Sequence, residues 1–111
     1  DDAATAFEAE YLLQREAAAE DLMLACRMTR GVGPDLLVRS ACVIPTDELA
    51  AACDRALDLG LATWVPEALG AHERSFTSAD VVASRVRARL APTHLGWLDG
   101  NVLFELFWGL A

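Results

Sequence analysis

Apolar side chains recur at steps of three, four and seven residues between Thr5 and Met28, a stretch that contains neither glycine nor proline. Because an α-helix completes a turn every 3.6 residues, this spacing predicts one long helix with an apolar face. The predicted packing face consists of Phe7, Tyr11, Leu12, Ala18, Leu22, Leu24, Ala25, Met28 and Thr29. Gly31 then ends the helix, and Pro34 opens the next one at its first position.

Two shorter helices and a strand are predicted to follow. The first helix runs from Asp35 to about Cys42 and is stopped by Pro45. The second begins at Thr46, which is predicted to be its N-cap, and closes at Gly60. The apolar, β-prone run 61–65 predicts a strand that ends at Pro66.

The second half of the chain predicts a loop, a strand and a final helix. Residues 66–80 show no period and are predicted to form a loop or an inserted excursion. Residues 84–91 alternate arginine with small or apolar residues, which predicts a half-buried strand; a helix with Arg85 and Arg89 one turn apart is the alternative. Thr93 caps the last helix, which is apolar nearly all round and is therefore predicted to be largely buried.

This order of elements predicts the fold class. Three helices, a strand, an excursion, a second strand and a helix indicate a mostly α-helical domain with a small antiparallel β ribbon. The arrangement is winged-helix-like, with three helices, a two-stranded wing and a C-terminal helix. With 111 residues, the chain has room for one domain with one core.

Charge and cysteine content exclude several functions. The formal net charge is −8, and the nine basic residues are all arginines, so binding to nucleic acid is disfavoured. Cys26, Cys42 and Cys53 form no CxxC pair and show no ligand-like spacing with His72 or His94, which predicts reduced thiols in a cytoplasmic protein without a metal site. No apolar run is long enough to cross a membrane. The absence of an initiating methionine predicts that the chain is a piece of a longer polypeptide.

Two blocks of sequence resemble a known family. In the first, Glu20 precedes a hydrophobic stretch, Arg27 follows seven residues later, and Gly31-Val32 comes next. This block is similar to the opening of the C-terminal domain of oxygen-independent, radical-SAM coproporphyrinogen III oxidases, especially the haem-chaperone-like branch. Ala25-Cys26 replaces the Gly-Leu usual before the arginine.

The second block continues the resemblance. Gly60 stands at a similar helix-to-strand corner, and Thr93, Gly96 and Asn101 resemble the family's capping threonine, its glycine and the asparagine five residues later. The likeness covers residues 20–111, with residues 66–80 longer than the usual wing.

The resemblance implies a division into parts. Residues 1–19 would be an N-terminal helical extension or linker from a missing catalytic barrel, and residues 20–111 would be the C-terminal domain. The parent would resemble coproporphyrinogen dehydrogenase or a related haem chaperone. It would bind a 4Fe-4S cluster and S-adenosylmethionine in its N-terminal radical-SAM barrel. This domain would contain no cofactor and no catalytic residue, and would lie at the barrel mouth beside porphyrin or haem.

The candidate residues for binding porphyrin each have an ordinary structural alternative. Arg27 is a candidate clamp for a propionate or a fold contact to Glu20 and the following loop. Arg85, Arg87 and Arg89 are candidates along one strand face, where they would otherwise protect an exposed edge. Trp97, with Phe104 and Trp108, is a candidate porphyrin shelf. The alternative is that this aromatic stripe is core or an interdomain seam, and core is favoured more for Trp108 than for Trp97. Both histidines are predicted to be solvated.

Two other functions remain open at this point. A winged-helix regulator would use the second and third helices to read DNA, but Asp47 and Glu48 at the start of the third helix repel phosphates. A helical interaction or dimerisation module would use the long first helix.

Overall fold

The computed structural model describes residues 2–67 and 75–111. Along the chain, the elements are α1 (Asp2–Ala25), α2 (Pro34–Ser40), α3 (Thr46–Asp58), β1 (Ala62–Pro66), α4 (Ser78–Val82), β2 (Ala88–Pro92), α5 (His94–Leu98) and α6 (Gly100–Trp108). The prediction of a mostly α-helical domain with a small antiparallel ribbon is confirmed. The predicted order of three helices, ribbon and C-terminal helical segment is also found.

The ribbon pairs β1 with β2 in an antiparallel register that runs from Ala62 opposite Pro92 to Pro66 opposite Ala88. Val32 forms an isolated antiparallel bridge to Leu90 on the other edge of β2. The segment between α1 and α2 therefore covers part of the edge that β1 leaves free. Strand β1 is shifted by one residue from the predicted run 61–65, and Pro66 is its last residue, which is compatible with the position of proline at strand ends.

One hydrophobic core joins the helices to the ribbon. Its largest fully buried members are Leu22, Val32, Leu37, Ile44, Leu49, Cys53, Val81, Val82, Leu90, Leu103 and Phe107. They belong to a single cluster that draws on every helix except α5. Helices α2 and α6 both pack on α1, so the C-terminal end of the chain lies against the first helix.

The predicted packing face of α1 is too wide. Tyr11, Leu12, Leu24 and Met28 are 42–63% exposed, whereas Ala19, Leu22 and Cys26 are buried. Among the α1 side chains that the structure describes, burial begins in the C-terminal half of the helix, and the side chains of residues 6 and 8–14 are exposed. The side chain of Phe7, also predicted for this face, lies outside the described residues.

Two predictions about local structure are also wrong. Thr46 makes no side-chain capping bond, and Pro45 occupies the N-cap position of α3. The segment 66–80 contains the start of α4, where Thr77 accepts a hydrogen bond from the backbone N–H of Asp80 and Asp80 accepts one from that of Thr77. This reciprocal capping box starts the helix that delivers Val81 and Val82 to the core.

The C-terminal region differs from the predicted single buried helix. It is divided into α5 and α6 at Asp99, and only Gly96, Leu103 and Phe107 are buried within the two helices. Trp108, predicted to be core, is 42% exposed. The helices pack through one side only, because nothing in the described chain covers the other side.

Candidate functional site

Gly31 and Val32 follow α1 in the chain and contact strand β2 through their backbone. Gly31 has a φ of 75°, and a β-carbon at this position would overlap the carbonyl oxygen of Leu90. Val32 and Leu90 exchange two backbone hydrogen bonds, of 2.9 and 2.8 Å. A residue without a β-carbon is therefore required for both the turn and the close approach.

Gly60, Thr93 and Gly96 form a second junction, between the α3–β1 corner and the start of α5. The hydroxyl of Thr93 donates to the carbonyl of Gly60 at 2.6 Å and accepts from the backbone N–H of Gly96 at 3.1 Å. Gly60 has a φ of 73°, and a β-carbon on Gly96 would overlap the carbonyl oxygen of Leu61. The predicted capping role of Thr93 is confirmed, and its hydroxyl in addition joins two turns that are distant in sequence.

The remaining motif residues lie on the surface. Arg27 follows the end of α1, and its Cζ atom lies 4.7 Å from the centre of the Phe104 ring. Among the described residues it forms no ion pair with Glu20, whose side chain is exposed. The expected contact of Arg27 with Glu20 and the loop carbonyls is thus replaced by a cation–π contact with α6. Asn101 is exposed in the first turn of α6.

The three clustered arginines do not share a strand face. Only Arg89 lies in β2; it donates to the carbonyl of Arg30 at 2.8 Å. Arg85 lies 3.0 Å from a carboxylate oxygen of Asp80, and Arg87 lies 3.1 Å from one of Asp35. The predicted strand 84–91 is shortened at its start because the chain turns at Ser84, where φ is 66°. Strand β2 therefore begins four residues later than predicted, at Ala88.

The Arg85 contact also affects Asp80. The pKa of the Asp80 carboxyl is lowered from its ordinary value, first by the hydrogen bond from the Thr77 backbone and then by that from Arg85. These hydrogen bonds therefore favour the ionised carboxylate, which is the form that accepts the backbone N–H of Thr77 in the α4 capping box.

An exposed apolar surface covers α5 and α6 and includes the fifth candidate, Trp97. We call it the α5–α6 apolar surface; its members are Leu95, Trp97, Leu98, Val102 and Trp108. Trp97 is 50% exposed and Leu98 is 69% exposed. Asn101 and Glu105 are exposed between Val102 and Trp108 on the same side of α6, so this surface is mixed and not continuously apolar. Several large apolar side chains exposed on two successive helices are typical of a surface that meets a partner.

The thiols differ in accessibility. Cys26 and Cys53 are buried, and burial raises the pKa of each to about 12, while Cys42 is exposed. His94 is exposed at the start of α5, and His72 lies outside the described residues. Within residues 2–67 and 75–111, no group of three His, Cys, Asp or Glu is placed to hold a metal ion. No helix in this part of the chain is long and apolar enough to cross a bilayer.

Arg15 on α1 has a structural role that the sequence pattern did not reveal. The Nε atom of Arg15 donates to the carbonyl of Leu110 at 2.6 Å, and an Nη atom lies 2.7 Å from a carboxylate oxygen of Glu48. The hydrogen bond with Glu48 raises the pKa of Arg15 above its ordinary value. The partners are 33 and 95 residues away in sequence, so periodicity could not have revealed them.

Comparison of the chain with protein-family models, with curated proteins and with solved structures gave no match.

Proposed function

We propose that the chain is the accessory C-terminal domain of a radical-SAM, coproporphyrinogen III oxidase-like protein of haem biosynthesis or haem handling. The catalytic chemistry belongs to an N-terminal barrel of the same polypeptide, where the 4Fe-4S cluster and S-adenosylmethionine would bind. This domain packs against that barrel and helps to enclose a porphyrin. The observation that supports the proposal best is the α5–α6 apolar surface.

The α5–α6 apolar surface has the composition of a docking face. Tryptophan is over-represented among the residues that contribute most to protein interfaces, and this surface exposes both Trp97 and Trp108. Burying about half of a large apolar side chain contributes roughly 1 kcal/mol, at about 25 cal/mol per Å² of apolar area. Five such side chains provide a substantial contribution to interdomain packing.

The motif residues support an accessory role and not a catalytic one. Gly31, Gly60, Thr93 and Gly96 hold turns and close backbone contacts, as described above. Their spacing is therefore explained by the fold of this domain. Reaction chemistry in the parent would depend on groups supplied by the barrel.

Contact with porphyrin would centre on Trp97. The other four candidates, Arg27, Arg85, Arg87 and Arg89, already engage groups of this chain. The contacts of Arg85, Arg87 and Arg89 are exposed and individually weak, so a propionate could replace an existing partner. Each of these guanidinium groups would have to leave its present partner before it could bind a propionate. The ring face of Trp97 offers a flat apolar surface to a macrocycle without such an exchange.

A winged-helix DNA reader is the alternative, and the charge of α3 argues against it. The exposed side chains of this helix include Asp47, Glu48, Asp54 and Asp58, with Arg55 as the basic residue among them. Phosphates would meet four carboxylates at the position where a recognition helix needs cations. We expect no salt-sensitive binding to duplex DNA.

A cytoplasmic location is proposed with the function, because the thiols of the chain are free.

The complete reading frame tests the proposal. We expect codons upstream of Asp1 to encode a barrel with a CxxxCxxC loop, and a frame that encodes no such loop would contradict the assignment.

Titration of the chain with coproporphyrin III, followed by porphyrin fluorescence, tests the ligand. Trp97→Ser should weaken binding about tenfold, whereas Leu12→Ser, an exposed apolar control on α1, should not. Equal binding by both variants would remove Trp97 from the site.

A further inference from the structure

A groove of about 290 Å³ lies between α1 and α2. Its lining residues are Gln14, Ala17, Ala18, Asp21, Leu36, Arg39, Ser40 and Val43. The four from α1 are spaced i, i+3, i+4 and i+7, and so are the four from α2 and the turn after it. The α1 wall is therefore one continuous helical face, and the other wall runs from α2 into the turn that contains Val43. The small Ala17 and Ala18 allow a third helix to approach closely.

Exposed apolar residues extend the groove at both ends along α1. Leu13 precedes Ala17 by four residues, and Leu24 follows it by seven, so both lie on the same side of the helix as Ala17. Leu13 is 66% exposed and Leu24 is 47% exposed. The apolar strip is therefore longer than the groove itself, and its length matches several turns of a partner helix.

The charges beside this strip are acidic. Glu10 and Asp21 are exposed on the same side of α1 as Ala17. Glu20 lies at the edge of that side, whereas Glu8 and Glu16 point away from it. Arg15 is the basic residue between Glu8 and Asp21, and its guanidinium is already engaged by Glu48 and the Leu110 carbonyl. The α1 side of the groove consequently presents a negative potential to anything that approaches it. Arg39 lies on the α2 side.

We propose that the α1–α2 groove binds a basic amphipathic helix of another protein. Apolar side chains of that helix would enter between α1 and α2, and its lysines or arginines would face the carboxylates of α1. A second copy of this chain fits less well, because it would bring two sets of carboxylates together. The inference does not depend on the proposed function, which uses the α5–α6 apolar surface.

Model peptides test the chemistry of the partner directly. The probe is a fluorescein-labelled helical peptide of about 14 residues that contains leucine on one face and lysine on the other. A scrambled peptide of identical composition controls for charge alone, and a leucine/glutamate peptide reverses the charge. Fluorescence anisotropy should show saturable binding of the leucine/lysine peptide at least about tenfold tighter than that of either control.

Two matched variants locate the binding. Ala17→Trp fills the groove, while Ala51→Trp places the same side chain on an exposed position of α3. We expect the first variant to weaken binding about tenfold and the second to leave it unchanged, with both variants keeping the circular dichroism of the parent chain. Loss of binding with Trp97→Ser instead would place the peptide on the α5–α6 apolar surface.

Three results would overturn the inference. Equal binding of the leucine/lysine peptide and its scrambled form would show that charge alone acts. Unchanged affinity in Ala17→Trp would exclude the groove. A dimer in sedimentation equilibrium that dissociates with Ala17→Trp would identify the occupant as a second copy of the chain. The peptide experiments do not test whether the upstream reading frame encodes a CxxxCxxC loop. Failure of this inference can therefore be distinguished from failure of the proposed function.

Discussion

The carbonyl oxygen of Leu61 lies so close to the α-carbon of Gly96 that a β-carbon on residue 96 would overlap it. The same oxygen accepts a hydrogen bond of 3.0 Å from the backbone N–H of Thr93. The turn before β1 and the first turn of α5 are thus locked together through one carbonyl. Close packing against Leu61 therefore explains why residue 96 is glycine.

Substitution of the motif glycines should destabilise the domain. We expect Gly96→Ala and Gly31→Ala each to lower the free energy of unfolding by about 1–3 kcal/mol, because of overlap at both positions and a positive φ at Gly31. In a domain of this size, each kcal/mol lowers the melting temperature by about 4 °C or more.

Gly33→Ala is the matched control, since a β-carbon there would meet nothing within 4 Å. A less favourable N-cap and a less flexible unfolded chain oppose each other at this position, so the change should stay within about 0.5 kcal/mol. Equal effects of all three substitutions in thermal unfolding would contradict the role assigned to the two close contacts.

Removing the hydroxyl of Ser40 should stabilise the protein. Ser40 is 2% exposed, and its Oγ atom has no hydrogen-bond partner among the described residues. An unsatisfied buried hydroxyl costs about 1–3 kcal/mol, and alanine also favours helix. Ser40→Ala should therefore raise the midpoint of urea unfolding, whereas Ser78→Ala, which removes the acceptor of the Trp64 indole N–H, should lower it. A lower midpoint for Ser40→Ala would show that its hydroxyl has a partner.

The three thiols should react at very different rates. At pH 8 we expect a thiol reagent such as dithionitrobenzoate to modify the exposed Cys42 rapidly, and Cys26 and Cys53 only on unfolding. In guanidinium chloride all three should react at once. Rapid reaction of two or more thiols in the folded chain would contradict the burial of Cys26 and Cys53.

The same thiols predict how stability depends on alkaline pH. Burial raises the pKa of Cys26 and Cys53 from 9.0 to about 12, so the unfolded chain loses these protons at lower pH than the folded chain. Their contribution to stability is complete below pH 9 and is lost as the pH rises toward 12. Cys26→Ala should reduce this alkaline loss in urea unfolding, and an unchanged loss would contradict the burial of this thiol.

Arg27 should contribute modestly to stability through Phe104. An exposed cation–π contact is worth about 0.5–1 kcal/mol, and a double-mutant cycle with Arg27→Ala and Phe104→Leu should measure a coupling of that size. Arg30→Ala is a nearby control, because its side chain is 81% exposed and 3.9 Å from Glu67. Unchanged stability together with about tenfold weaker coproporphyrin binding would instead make Arg27 a ligand clamp.

Local patterns in the sequence predicted the elements but not the surfaces. The caps and turns at Gly31, Gly60 and Thr93 were predictable because each depends on residues that are adjacent in sequence. The capping box of Thr77 and Asp80 had the same local character and was overlooked within a segment that lacks hydrophobic periodicity. The exposure of Trp97 and Trp108 was not predictable, because an apolar helix alone does not reveal whether another layer covers it.

The candidate site was predicted less well than the fold. The Arg87–Asp35 pair and the Arg15–Leu110 bond join residues 52 and 95 positions apart, and no periodic pattern contains such information. Once these contacts form, an arginine that seems free in the sequence is engaged in the structure. The arginines that are candidates for binding porphyrin could therefore be named from the sequence. The groups of this chain that already bind their guanidinium groups could not.

Hydrogen–deuterium exchange of the α5–α6 apolar surface most directly tests the claim that this is an accessory domain docked on a larger body. Amide exchange over residues 94–108 would be compared between the isolated 111-residue chain and the polypeptide encoded by the complete reading frame. Docking predicts at least about tenfold slower exchange of this segment in the complete polypeptide, with little change over the acidic, exposed face of α3. Identical exchange over residues 94–108 in the two proteins would contradict the account.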